Sequence, residues 1–154
     1  PMSYHNGSVW PHDNALIAAG LARYGFKREA ARIFEGLFAA STYIDLRRLP
    51  ELFCGFARQQ TRGPTFYPVA CMPQAWAAAA PCYMLQACLG LGFDPERLHV
   101  TFNEPTLPDF LSEVTLRNLR LDGGAADVAL RRSGAKVVVD VLDRRGPLRV
   151  ITTS

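Results

Sequence analysis

The sequence lacks the features that mark several specialised classes of protein. Its four cysteines include no C-x-x-C pair, and three of them lie among apolar residues, which favours reduced thiols in a cytoplasmic protein. No apolar run reaches the roughly 18 residues that a membrane helix needs, and no signal peptide is visible. The net charge is only +3 and the arginines are scattered. We therefore expect a soluble cytoplasmic protein that binds neither nucleic acid nor membrane.

What is present fits one ordinary domain. The chain has 154 residues, of which 49% are hydrophobic and 20% charged, as in globular proteins. Pro1 is not an initiator residue. The polar segment that begins at Tyr4 also comes before any helix or strand that could hold it in place. We therefore expect a C-terminal piece of a longer protein.

Three segments have the apolar spacing of helices. Residues 13–24 and 27–44 predict an antiparallel helical hairpin, with Asp13 or His12 capping the first helix. Residues 73–91 are apolar nearly all round, which predicts a helix buried on most sides. A short helix over residues 52–58 would pair with it as a second hairpin. Two such hairpins indicate part of a toroid of inner and outer helices.

From Leu98 onward, apolar and polar residues alternate in short segments, which are separated by turn sequences such as DGG, SGA and RRGP. This pattern predicts antiparallel strands. The expected fold is therefore mainly α: a partial (α/α)6 toroid followed by a small antiparallel β-sheet appendage. We expect the two parts to occupy residues 1–97 and 98–154.

Glu51 is the carboxylate that the sequence favours as a catalytic base. It follows Pro50 at the predicted start of the short helix, where backbone amides favour an ionised side chain. From spacing alone, the plainer explanation is favoured: Glu51 is a first-turn glutamate that complements the helix dipole.

The polar segment YHNGSVWPHDN, residues 4–14, is typical of a loop that lines a pocket. The alternative is a purely structural role, in which its aromatic residues pack as a staple and a polar side chain caps the helix at the start of the chain. His5 and His12 are not at metal-ligand spacing with other histidines or cysteines, so the sequence predicts no metal and no organic cofactor.

Three blocks resemble a known family. In order, YHNGSVWPHDNALIAAGLARYGF, LPELFCGF and YPVACMPQAWAAAAPCYMLQACLGL are similar to the C-terminal part of the amylo-alpha-1,6-glucosidase domain of glycogen debranching enzymes and their bacterial relatives. The resemblance covers about Tyr4 to Leu91. It implies an (α/α)6 toroid that hydrolyses terminal alpha-glucosidic bonds with inversion, with a glucan or oligosaccharide as substrate.

The resemblance also implies roles for individual residues. By the resemblance, Glu51 would be the general base and the general acid would lie in a segment before Pro1. The other acids considered in this chain, Asp13, Glu35 and Asp45, do not suit that role. The residues implied to bind substrate are Tyr4, His5, Asn6, Trp10, His12 and Trp76.

Two further expectations follow. Without the preceding hairpins, apolar helix faces would be exposed, so the isolated chain should be inactive and should self-associate or lose stability. The competing hypothesis is a carbohydrate-binding or assembly module without chemistry.

Overall fold

The computed structural model describes residues 3–59 and 61–153, in which helix and strand each account for about 31% of the chain. The protein is therefore an α+β fold, and the predicted mainly α toroid is wrong. Two features account for the difference. The predicted second hairpin does not form, and the strands after residue 98 are long enough to build two sheets rather than an appendage.

The first two helices occupy the predicted positions. α1 spans Pro11–Arg23 and α2 spans Lys27–Ser41, and the two pack on each other. Gly25, at a φ of 87°, provides the turn between them. The predicted cap is wrong: the N-cap is Trp10, whose indole can only donate hydrogen bonds and so caps no helix amide. Pro11 occupies the first helical position, where its missing N–H costs nothing.

α3 spans Ala75–Leu89 and packs mainly on α1. Small side chains fill this contact, with Ala15 and Ala18 from α1 against Ala77 and Ala80 from α3. The predicted burial of α3 on most sides is wrong, because its outer face has no described element against it and leaves Trp76 64% exposed. We name α1, α2 and α3 the helical layer.

The helical layer carries large apolar side chains on its outside. Leu16 and Ile17 of α1 are more than half exposed, and Tyr83 of α3 is 42% exposed. Such surfaces favour association. Self-association of the chain stays a prediction.

The predicted short helix over residues 52–58 is wrong. After a 3-10 turn at Asp45–Arg47, the chain has no further helix among residues 48–59 and 61–74. Phe53 instead pairs antiparallel with Val9 and with Phe66 in isolated bridges. These bridges satisfy backbone groups that a helix would have used, in a stretch that Pro50 and Gly55 interrupt.

The strands form two three-stranded sheets within the described chain, which we name the sheet pair. The first contains β1 (Leu91–Asp94), β2 (His99–Asn103) and β6 (Arg149–Thr153); β1 and β2 are antiparallel, whereas β2 and β6 are parallel. The second is the antiparallel meander of β3 (Glu113–Leu121), β4 (Gly124–Ser133) and β5 (Lys136–Arg145). The division at residue 97 stays a prediction, although β1 and β2 on its two sides are hydrogen-bonded neighbours.

Two cores result. The helical layer packs around its alanines with Phe34 and Leu37, and the sheet pair around Phe102, Leu130 and Leu148. Among the residues described, no helix combines the length and the apolar character needed to cross a membrane.

Candidate functional site

Glu51 is held by two segments that are distant from it in sequence. The Tyr4 hydroxyl donates a hydrogen bond to Oε1 of Glu51 at 2.5 Å, and the backbone N–H of Cys71 donates to Oε2 at 3.2 Å. The backbone N–H of Glu51 in turn donates to the carbonyl oxygen of Cys71 at 2.9 Å. The carboxylate thus joins the N-terminal loop to the segment that precedes α3.

This position differs from both sequence-based explanations of Glu51. The residue lies in a bend, not in the first turn of a helix, so a helix dipole neither stabilises its charge nor explains its presence. Its partners are a phenol and an amide, and both are donors. Donors are what an ionised carboxylate needs, because it can only accept hydrogen bonds.

The same contact changes Tyr4. The hydrogen bond to Glu51, followed by partial burial, raises the pKa of Tyr4 to about 12. The phenol therefore keeps its proton through the neutral range and acts as a donor to the carboxylate.

Tyr4 is also the centre of a group of aromatic rings. Its ring lies edge-on to those of His5, Trp10 and Tyr67, with centroids 4.7, 4.9 and 5.7 Å away. His5 stacks on Trp10 with an angle of 8° between the ring planes, and the indole N–H of Trp10 donates to the Tyr4 carbonyl at 3.2 Å. We name Tyr4, His5, Trp10, Tyr67 and Glu51 the Glu51 cluster.

Two further predicted residues extend this group at its edge. The ring of His12 contacts Trp10 at 5.5 Å and Trp76 at 4.9 Å between centroids. Nε2 of His12 lies 3.2 Å from Oδ1 of Asp13, while its Nδ1 is buried and has no hydrogen-bond partner within residues 3–59 and 61–153. Asn6 is exposed on the loop between Tyr4 and Trp10.

Backbone pairing fixes the loop that carries most of these rings. Val9 and Phe53 exchange two N–H to carbonyl hydrogen bonds, each of 2.9 Å. The side chain of Asn14 in α1 donates to the Trp10 carbonyl at 2.9 Å. The loop is therefore attached both to α1 and to the chain that follows Glu51, which explains why Tyr4 reaches the carboxylate.

Sequence reasoning omitted two members of the arrangement. Tyr67 is not among the predicted site residues, and the structure places its ring against that of Tyr4. Cys71 contributes only backbone atoms to Glu51, so no side-chain pattern could have identified it.

The arrangement can accept protons and pack against flat apolar faces. Two hydrogen bonds occupy part of the acceptor capacity of Glu51, and the remaining lone pairs are free for a water molecule or a hydroxyl group. No described carboxylate is hydrogen-bonded to Glu51: Asp13 contacts His12, and Glu35 accepts from the backbone of Asp109. Within the described residues, no three His, Cys, Asp or Glu side chains converge as metal ligands.

The alternative explanations of the N-terminal loop are therefore partly combined in one structure. Its rings do pack on one another, as a staple would, and one of them, Tyr4, also donates a hydrogen bond to a half-buried carboxylate. No family model and no curated protein matches the chain.

Proposed function

We propose that the Glu51 cluster binds a sugar ring and that Glu51 acts as the general base in hydrolysis of a terminal alpha-glucosidic bond of a glucan or oligosaccharide. The observation that carries this proposal is the hydrogen bond of 2.5 Å between Tyr4 and Glu51 within a group of aromatic rings. It joins a proton acceptor to surfaces that suit a sugar. The resemblance of the three sequence blocks supports the same chemistry.

The binding step follows from the rings. Tyr4, His5 and Trp10 present apolar faces together with a hydroxyl or ring nitrogens, and pockets for small polar ligands combine these two properties. The exposed Trp76 lies at the end of the same line of contacts through His12. A sugar has apolar C–H faces and a polar rim, so it matches such a surface.

The chemical step follows from the carboxylate. An ionised Glu51 with a free lone pair can take a proton from water as the water attacks the anomeric carbon. Tyr4 and the Cys71 amide hold the carboxylate in one orientation, which general base catalysis requires. The glycosidic bond breaks as the water oxygen bonds to carbon, and the leaving oxygen takes a proton from a second acid.

The acid must come from another carboxyl group. In an inverting reaction the two carboxyl groups lie about 6.5–9.5 Å apart, with the water between the base and the sugar. We assign none of the described carboxylates to this role: Asp13, at the edge of the rings, contacts His12, and Glu35 accepts a hydrogen bond from the Asp109 amide.

The second candidate is a surface that binds carbohydrate without chemistry. What favours it is that Glu51 has no carboxylate partner among the residues described. The two candidates can be distinguished by experiment. If the full-length protein binds an oligosaccharide but does not hydrolyse it, the second candidate is supported.

The test is the substitution Glu51→Gln in the full-length protein. The substrate is an oligosaccharide that ends in alpha-1,6-linked glucose, and nuclear magnetic resonance follows the anomer released. We expect kcat to fall by about 10²–10⁴-fold while the affinity for product glucose changes little, because glutamine keeps the shape but cannot accept a proton.

Glu96→Gln is the matched control. Glu96 is exposed in the turn between β1 and β2 and has no hydrogen-bond or ion-pair partner within the described chain. Its replacement should leave kcat unchanged. A folded Glu51→Gln protein, checked by circular dichroism, that keeps the wild-type kcat would exclude Glu51 as the base.

We also propose that the protein is located in the cytoplasm. Cys54, Cys71, Cys82 and Cys88 are all free thiols, and two of them, Cys71 and Cys82, are exposed. Exposed free thiols are maintained by the reducing cytoplasm. Labelling of the native protein with a thiol reagent should therefore modify Cys71 and Cys82 in freshly lysed cells.

A further inference from the structure

A second feature lies beside α2, separate from the Glu51 cluster. It is a cavity of about 610 Å³ between α2 and the chain at residues 53–59 and 61–65. Neither Tyr4 nor Glu51 lines it. Its volume is that of a site for a small molecule, which typically measures about 300–1,000 Å³.

The charges around this cavity have one sign. Arg32 of α2 and Arg58 and Arg62 of the facing segment line it, and no described aspartate or glutamate does so. A guanidinium group stays protonated at any physiological pH. The cavity therefore collects three positive charges without a negative one in its own wall.

These three arginines differ from the paired arginines of the second sheet. Arg131 is paired with Asp140, and Arg145 with Asp127. None of Arg32, Arg58 and Arg62 has an ion pair or a side-chain hydrogen bond to another described residue. Their donors are therefore available to a ligand.

A neighbouring surface depression tests this argument, because it shares Arg32 and Arg58 and also contains Glu35 and Asp109. The Glu35 carboxylate accepts a hydrogen bond from the Asp109 amide at 2.8 Å, and the Asp109 carboxylate lies 3.8 Å from Arg132. Both acids thus have partners other than the two arginines. Arg62 lines only the larger cavity.

The remaining wall of the cavity is aromatic and closely built. Tyr43 and Phe56 are each 56% exposed and line it. Gly63 lies so close to Tyr43 that a Cβ atom at position 63 would be 2.7 Å from Cδ1 of the ring. The chain at Gly63 therefore packs directly against the Tyr43 ring, with no room for a larger side chain.

We propose that this cavity binds a small phosphorylated ring compound, whose phosphate is held by Arg32, Arg58 and Arg62 and whose ring packs on Tyr43 and Phe56. Phosphate suits the site because a planar guanidinium group donates two parallel hydrogen bonds to its oxygens, and because a dianion offsets several gathered positive charges. A ring in the ligand would pack against the aromatic wall formed by Tyr43 and Phe56. Sugar phosphates and nucleotides share this chemistry.

The proposal is independent of the sugar hydrolysis proposed for the Glu51 cluster. Its residues are different, and its test measures binding to the chain rather than turnover. Either proposal can fail while the other holds.

The test is isothermal titration calorimetry of the chain with five probes: glucose 6-phosphate, adenosine monophosphate, inorganic phosphate, gluconate and glucose. We expect at least one of the two phosphorylated ring compounds to bind about ten-fold or more tightly than inorganic phosphate and than gluconate, and glucose not to bind at this site. Which of the two binds more tightly identifies the source of the phosphate. Equal affinity for both ring compounds and for inorganic phosphate would overturn the role of the aromatic wall.

Arg58→Gln and Arg62→Gln should each weaken binding of the preferred probe by about ten-fold or more, since each removes charge-assisted hydrogen bonds. Arg58→Lys keeps the charge but loses the paired geometry, so it should also weaken binding. Arg28→Gln is the matched control, because Arg28 is exposed on α2 but does not line the cavity. Equal weakening by Arg28→Gln, tighter binding of gluconate, or no binding of either phosphorylated compound would refute the proposal.

Discussion

The helical layer and the sheet pair bury different kinds of side chain. α1 and α3 meet through alanines, and their large residues Leu16, Ile17 and Trp76 remain outside. The sheet pair buries large residues such as Phe102 and Leu130 completely, although Phe93 of β1 and Leu142 of β5 are 45% and 59% exposed. The comparison shows that close helix contacts need small residues, whereas the space between sheets needs large ones.

Charges of both kinds, paired and unpaired, occur in the two regions. Exposed pairs such as Arg131 with Asp140 lie on the second sheet, and pairs of this kind stabilise a fold by little, about 0–1 kcal/mol. Arg144 of the same sheet and Arg32 of the helical layer have no ion pair in the described chain. The loops beside the helical layer carry the Glu51 cluster, so the residues with proposed binding chemistry lie in that layer and its loops.

The strongest test of the difference in burial is a pair of truncations. Leu130→Ala removes a fully buried side chain from the core of the sheet pair and should lower the free energy of unfolding by about 2–5 kcal/mol. Ile17→Ala removes a side chain that is 55% exposed and should change it by no more than about 0.5 kcal/mol. Urea denaturation followed by circular dichroism measures both. A larger loss for Ile17→Ala would mean that the outside of α1 is covered in solution.

The junction of the two regions gives a second, smaller effect. Gly90 ends α3 at a φ of 60°, and a Cβ there would lie 2.0 Å from the carbonyl oxygen of Asn103 in β2. Gly90→Ala should therefore lower the free energy of unfolding by at least about 1–3 kcal/mol, because both the backbone conformation and the close approach require glycine.

Gly20→Ala provides the opposite outcome within the helical layer. Gly20 lies on the exposed face of α1, and nothing is within 4 Å of its added Cβ. Alanine should stabilise the chain by about 0.5–1 kcal/mol through helix propensity. Equal effects of the two substitutions in a denaturant titration would contradict the contact between Gly90 and Asn103.

The smallest expected effect concerns the Glu51 cluster and pH. Because the pKa of Tyr4 is raised to about 12 from its ordinary 10.0, the folded chain keeps this proton where the unfolded chain loses it. The stabilisation from this group is complete below pH 10 and is lost as the pH rises through about 12. Ultraviolet absorbance of phenolate, compared between wild type and Tyr4→Phe, should show the missing tyrosine titrating near 12. A difference curve centred near 10 would show that the hydrogen bond to Glu51 is absent.

Local patterns predicted most of the elements but not their assembly. The apolar spacing gave α1, α2 and α3 to within a few residues, and the alternation after Leu98 gave β2 through β6. β1 was missed, since its four residues Leu91–Asp94 continue the apolar run of α3 and form a strand only by pairing with β2. The predicted toroid failed because Phe53 pairs with Val9 and Phe66 instead of entering a helix.

The candidate site shows the same limit. Glu51, Tyr4, His5 and Trp10 were identified from their residue types, and the structure places them together. The reason given for Glu51, a helix N-terminus, was wrong, and Tyr67 and Cys71 were not predicted as its neighbours. That these residues act on a sugar stays a prediction.

The sequence by itself determined where helices and strands form, because periodicity and turn residues act over a few neighbouring positions. Only the tertiary structure decided that α1 buries alanines rather than Leu16 and Ile17, that β2 lies parallel to β6, and that Tyr4 donates to Glu51, which is 47 positions away in the chain. These choices depend on which distant segments compete for the same contact, and no local pattern contains that competition.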